Sequence, residues 1–173
     1  MKNKLFFTTV FIVLTLCIIA GTSGNSEASE RALMLGNYMW HEEGGSTLTL
    51  HHPQNSPNDL LITSTAAGDL FWIHASIPTN LGATVKQIAV CYRTPNAGTS
   101  IVQVRLTEYV LQTATVLIDL SPIPESSAGT CYFSPSNLNL TPIGSLTMSL
   151  GLQFTSASDS ISIGATAILF VEQ

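Results

Sequence analysis

From Ser145 to Phe154 the chain places Leu146, Met148, Leu150, Leu152 and Phe154 at every second position, with Thr147, Ser149, Gly151 and Gln153 between them. Successive side chains of an extended chain point to opposite faces. A period of two therefore specifies a strand with one face in a core and the other in water, and it does not fit the 3.6-residue period of a helix. The stretch Ile101 to Thr107 repeats the pattern, with Val102, Val104 and Leu106 expected inward and Ile101, Gln103, Arg105 and Thr107 outward. Further strands are expected over Ser46 to His51, Leu60 to Thr65, Leu70 to Ile77, Val85 to Tyr92, Ala114 to Leu120, Thr130 to Phe133 and Ser160 to Val171, about eight or nine in all. Turn clusters separate them at Pro78 to Gly82, Pro95 to Gly98 and Ser121 to Gly129. Short strands with such breaks predict an all-β fold, an antiparallel sandwich of the jelly-roll or Ig-like kind. The one helical candidate in the body of the chain is Ser26 to Tyr38, with early glutamates and a Gly36-Asn37 stop, and it reads equally as a flexible lead-in.

The first residues belong to targeting and not to this pattern. Lys2 and Lys4 precede an apolar run from Leu5 to Ala20 broken only by threonines, which is the build of a secretory signal helix. Small residues offer cleavage points between residues 20 and 28, at Ala20, Gly24 and Ala28, and Ser26-Glu27-Ala28 fits the small-x-small rule best. Acylation of Cys17 is disfavoured, because the bulky leucines of Leu14-Thr15-Leu16 stand where lipoprotein processing needs a small residue. An uncleaved anchor is disfavoured as well, since a spanning helix needs about 20 apolar residues and the run from Leu5 to Gly21 has 17. The expected organisation is a signal peptide over residues 1–28, an N-terminal arm over 29–45 and a β-sandwich over 46–173. The expected location is secreted, periplasmic or on the cell surface.

Beyond the leader, ten carboxylates face only Arg31, Lys86, Arg93 and Arg105, a net charge of minus six. No basic patch exists to neutralise phosphates, which excludes nucleic acid binding of the usual kind. Nor does any basic amphipathic stretch favour an anionic membrane surface, so no membrane contact is expected once the leader is removed. Charged residues make up 10% of the chain, against about 25% in ordinary domains. Threonine and serine on the solvent face of strands account for this, and so does a subunit that packs against copies of itself.

Three cysteines become two when Cys17 leaves with the leader. In an oxidising compartment Cys91 and Cys131 are expected to form one disulfide, with pairing between chains as the alternative. A zinc site at either one lacks further ligands at the required spacing.

Ile88-Ala89-Val90-Cys91-Tyr92, Gln103 to Glu108, Thr130-Cys131-Tyr132 and Ile161 to Ala165 give residues 85–171 a loose similarity to other proteins. On these segments the chain resembles a group of secreted bacterial β-sandwich proteins, jelly-roll-like, to which no activity is attached. The resemblance implies a sandwich and carries over no functional residue.

Catalytic signatures are missing from the sequence. His41-Glu42-Glu43 begins like a zinc-protease helix, but Gly45 stands where the second histidine must fall. His41, His51, His52 and His74 are the possible metal ligands, yet adjacent strand residues face opposite ways, so His51 and His52 cannot share one site. No Gly-x-Ser-x-Gly elbow or phosphate loop is present, and Glu108 and Asp119, a conceivable glycosidase pair, fall on different strands. No cofactor and no metal is implied. The most suggestive segment is Leu70 to Ile77, where Phe71, Ile73, Ala75 and Ile77 form a core face and Trp72, His74 and Ser76 the opposite one. A tryptophan beside hydrogen-bonding neighbours is a stacking platform for a sugar ring. The competing expectation packs Trp72 under Tyr38 or Trp40. A non-catalytic binding or structural protein is thus the leading expectation, with glycan or partner as ligand. A self-assembling fibre or layer subunit, its segment Ala32 to Trp40 adding to a neighbour's sheet, and an unrecognised hydrolase are the alternatives.

Overall fold

The computed structural model describes residues 29–45, 47–53, 59–78, 82–121 and 123–172. Residues 1–28, expected as the signal segment, lie outside them. Among the described residues eleven strands run β1 Ser29–Leu35, β2 Trp40–Glu42, β3 Leu48–His51, β4 Leu60–Ser64, β5 Leu70–Ile77, β6 Thr84–Arg93, β7 Ser100–Val110, β8 Thr113–Leu120, β9 Thr130–Phe133, β10 Ser145–Gln153 and β11 Ser160–Glu172. They form two antiparallel sheets. The first has the order β3-β4-β11-β6-β9, with β1 also paired to β11, and the second has the order β2-β5-β10-β7-β8. The all-β sandwich is the architecture that the alternating patterns specify.

Each central strand carries the core. Leu146, Met148, Leu150, Leu152 and Phe154 are all buried between the sheets, as are Phe71, Ile73, Ala75 and Ile77 of the neighbouring β5. Burial of one such leucine or isoleucine stabilises the fold by roughly 1.5 to 3 kcal/mol, so β10 alone is a large part of the driving force. β11 does the same in the first sheet, and it has a break of its own. Ile163 pairs with Tyr92 and Thr166 with Val90, so β11 holds one residue more than β6 across this step, a bulge at Gly164-Ala165. A bulge reverses the alternation. Ile161 and Ile163 face the core before it, and Thr166, Ile168 and Phe170 after it. At the same place β11 exchanges its other neighbour, pairing with β4 up to Ile163 and with β1 from Thr166.

A second bulge corrects the expected faces of β7. Gly151 pairs with Gln103 but Leu152 with Ile101, leaving Val102 as the extra residue. Ile101 therefore turns inward and is buried, while Val102 is only half-buried, the reverse of the simple alternation.

Residues 29–45 are the other departure from the sequence reading. In place of a helix or a loose lead-in, β1 pairs with β11 over its whole length and β2 pairs with β5, joined by a short 3-10 turn at Asn37–Met39. Exposed Glu30 and Arg31 hide the strand character of β1, since its burial pattern offers no apolar face to read. Segment 32–40, expected as a strand for a neighbour's sheet, is used here within its own molecule.

Cys91 and Cys131 lie directly opposite each other in the β6–β9 pair and are joined within the chain by a 2.08 Å S–S bond. The disulfide fastens β9, a four-residue edge strand, to the sheet.

Candidate functional site

The outer face of the second sheet gathers polar and aromatic residues from all five of its strands. His41 on β2 lies opposite His74 on β5, His74 opposite Ser149 on β10, Ser149 opposite Arg105 on β7, and Arg105 opposite Asp119 on β8. Neighbouring strands are about 4.8 Å apart, so this row spans roughly 19 Å across the sheet. One row further along β5 stands Trp72, with Gly151 and Gln103 beside it. One row in the other direction stands exposed Ser76, opposite Thr147.

Pairwise contacts fix the arrangement. His74 Nδ1 lies 2.8 Å from Ser149 Oγ, and Ser149 is buried beneath it. Both Nη2 and Nε of Arg105 donate to Asp119 Oδ2, at 2.9 and 3.3 Å. The planes of the Trp72 and His74 rings are nearly parallel, 9° apart in tilt with centroids 6.5 Å apart. Next to Trp72 the strand β10 has no side chain: a Cβ at Gly151 would stand 3.2 Å from Trp72 Cη2 and equally close to Gln103 and Leu70. The glycine lets the half-buried indole lie close along the sheet. On the ring sits Arg105, its guanidinium carbon 4.8 Å from the centroid, a cation–π contact worth about 0.5 to 1 kcal/mol near the surface. Burial pushes the His74 imidazole below its ordinary value, and the Glu43 carboxylate acts in the opposite sense. His74 is therefore a neutral ring near pH 7.

Trp72, His74 and Ser76 thus share one face of one strand, and the structure brings the two rings together. Trp72 is not covered in the way the competing expectation required. Trp40 is turned into the core at 2% exposure, and Tyr38 stacks instead on His52 with centroids 4.5 Å apart. The sequence reading missed Arg105, Ser149, Gly151, His41 and Asp119 as parts of this surface. Alternation gave the outward direction of Arg105 and Ser149, but no local signal says that residues 33 or 77 positions from Trp72 lie beside it.

Other candidates separate. Glu108 is buried and accepts from the backbone N–H groups of Ile143 and Gly144 at 2.5 and 2.9 Å, while Asp119 faces outward with Arg105. The two carboxylates occupy opposite faces of the sheet and do not form a pair. Among the described residues no three His, Cys, Asp or Glu side chains assemble in a way that would hold a metal ion.

No family model matches the sequence, and no curated protein matches it. Solved structures do match in shape. The family 11 carbohydrate-binding module of the cellulosomal cellulase Lic26A-Cel5E of Clostridium thermocellum superposes with a TM-score of 0.50 at 12% identity, over 83% of this chain and 95% of that one. The Clostridium thermocellum family 11 module in complex with a β-1,3-1,4-mixed-linked tetrasaccharide gives the same TM-score at 10% identity, over 83% and 96%. The class that this defines is one of fold: a jelly-roll β-sandwich of the kind built by carbohydrate-binding modules.

Proposed function

We propose that the protein is an exported, non-catalytic β-sandwich that binds a glycan on the outer face of its second sheet. The observation that carries this reading is the Trp72–His74 pair, with parallel ring planes, laid along β5 beside Gly151. An indole face matches the C–H face of a pyranose ring, and a row of hydroxyl, imidazole, guanidinium and carboxylate groups suits the hydroxyls around it. In the free protein the Arg105 guanidinium lies on the indole. A sugar ring takes that place, and Arg105, still held by Asp119, turns to donate to a hydroxyl. The shape shared with carbohydrate-binding modules supports the reading, and so does the absence of catalytic motifs from the sequence. The acidic balance of the chain, with Glu42, Glu43 and Asp119 near the row, favours an uncharged glycan over a polyanionic one. Export follows from Lys2, Lys4 and the apolar run behind them, and N-terminal sequencing of protein recovered outside the cytoplasm tests it.

Binding is tested on an array of neutral and acidic glycans followed by calorimetry. A neutral oligosaccharide should bind, and Trp72→Ala should weaken it at least tenfold, about 1.4 kcal/mol. An array without signal, or unchanged affinity in Trp72→Ala, refutes the site.

A further inference from the structure

We propose that the edge of β8 that has no partner among the described residues is a dimer interface, at which a second copy of this chain adds its own β8 in antiparallel pairing and joins two five-stranded sheets into one. The inference starts from a comparison of sheet edges. An unpaired edge strand offers a row of backbone donors and acceptors to any other strand, and folded proteins blunt such edges with shortness, charge, proline or a covering segment. Among the described residues, four of the five terminal strands are blunted in this way. β2 and β3 are three and four residues long and end in Glu42 and His51. β9 has four residues and is pinned by the disulfide. β1 carries Glu30 and Arg31.

β8 is the longest of the five, and against pairing it offers only Asp119 and a bulge at Leu117, where Leu106 pairs with Ile118 but Thr107 with Val116. Its eight residues, Thr-Ala-Thr-Val-Leu-Ile-Asp-Leu, contain no proline, glycine, lysine or arginine. Residues Thr113 to Val116 are exposed, Val116 to 50%. Such a β-prone, nearly uncharged segment is the kind that pairs with its like. Its only charge, Asp119, is already neutralised by Arg105 of the adjacent strand. Two copies, each with a net negative charge, therefore meet at an edge where no unpaired like charges oppose each other.

Antiparallel pairing of two identical strands is related by a two-fold axis perpendicular to the sheet. The interface is self-complementary and closes at two chains. Because the axis is perpendicular, both outer faces point the same way, and the two Trp72 rows lie on one continuous surface. Gain in glycan affinity through that bivalency rests on the proposed binding function, whereas the dimer itself does not.

Sedimentation and light scattering of the exported protein over a wide concentration range provide the test, with no glycan present. The expected mass is two chains, falling to one in Val116→Lys. Val116 stands at the middle of β8, next to the axis, so the two introduced ammonium groups would face each other. A cooperative unfolding transition, with the midpoint that the native chain shows when diluted to single chains, shows that the variant is folded. As a measurement independent of any variant, β8 amides should exchange more slowly at concentrations where the dimer forms. A single-chain mass at every concentration overturns the proposal and leaves the edge for a foreign strand. So does a dimer that survives Val116→Lys, an open-ended polymer, or β8 exchange that ignores concentration.

Discussion

Removing the cross-link between β6 and β9 tests the energetics of the fold most directly. Cys91 and Cys131 are 40 positions apart, and the loop between them leaves the first sheet, forms β7 and β8 of the second, and returns. On the chain-entropy model a closed loop of this length takes about 13 cal/mol/K from the unfolded chain, or about 4 kcal/mol at 25 °C. The double variant Cys91→Ala and Cys131→Ala should lose that amount. With a urea slope of about 2 kcal/mol/M, the unfolding midpoint should fall by about 2 M. Tryptophan fluorescence reports it, since Trp40 is buried in the core. A loss below about 1 kcal/mol with an unchanged slope would refute the argument, because the cross-link would then restrict no freedom in the unfolded state. A larger loss with a changed slope would place part of the effect in the native sheet. There β9 is also held by Ser134, which accepts from Ile88 N–H through its Oγ at 2.9 Å and from Gln87 Nε2 through its carbonyl at 2.9 Å.

Two further outcomes are expected. Glu108→Ala removes two charge-assisted hydrogen bonds to the 143–144 turn and should cost about 2 to 4 kcal/mol in thermal or urea unfolding; a change within about 0.5 kcal/mol would show that water replaces the carboxylate. For His74 the folded-state value is depressed below 6.5, so the unfolded chain binds the proton more tightly. Stability should then be full above about pH 6.5 and fall as the pH drops through the folded-state value. Urea midpoints measured from neutral to mildly acidic pH should show this fall in the native chain and a shallower one in His74→Gln, and identical profiles would remove His74 as the cause.

The alternation between Leu70 and Ile77 was enough to put Trp72, His74 and Ser76 on one face, because period two is a local property of the backbone. The face of Ile101 was not legible in the same way. Its direction depends on a bulge at Val102, which exists only in register with Gly151 of another strand. The strands at Ser29–Leu35 and Trp40–Glu42 were hidden for a related reason: β1 has an exposed pattern and β2 only three residues, and both are strands through their partners β11 and β5. The site was legible to the extent of one strand. Arg105 and Asp119 join it through pairings that skip tens of residues, and pairing order is what single-sequence periodicity lacks.

The position of β11 sets the schedule on which the molecule can come into being. It comes last in order among the described strands, yet β1, β4 and β6 all hydrogen-bond to it. Until Ser160–Glu172 has left the ribosome, the first of these has no partner, and Leu60, Ile62, Ile88 and Val90 have no finished sheet to be buried in. Contacts of such long sequence separation also form slowly. A growing chain of this design therefore keeps its first sheet open until Ser160–Glu172 has been made, and the sheet closes only once that strand has arrived.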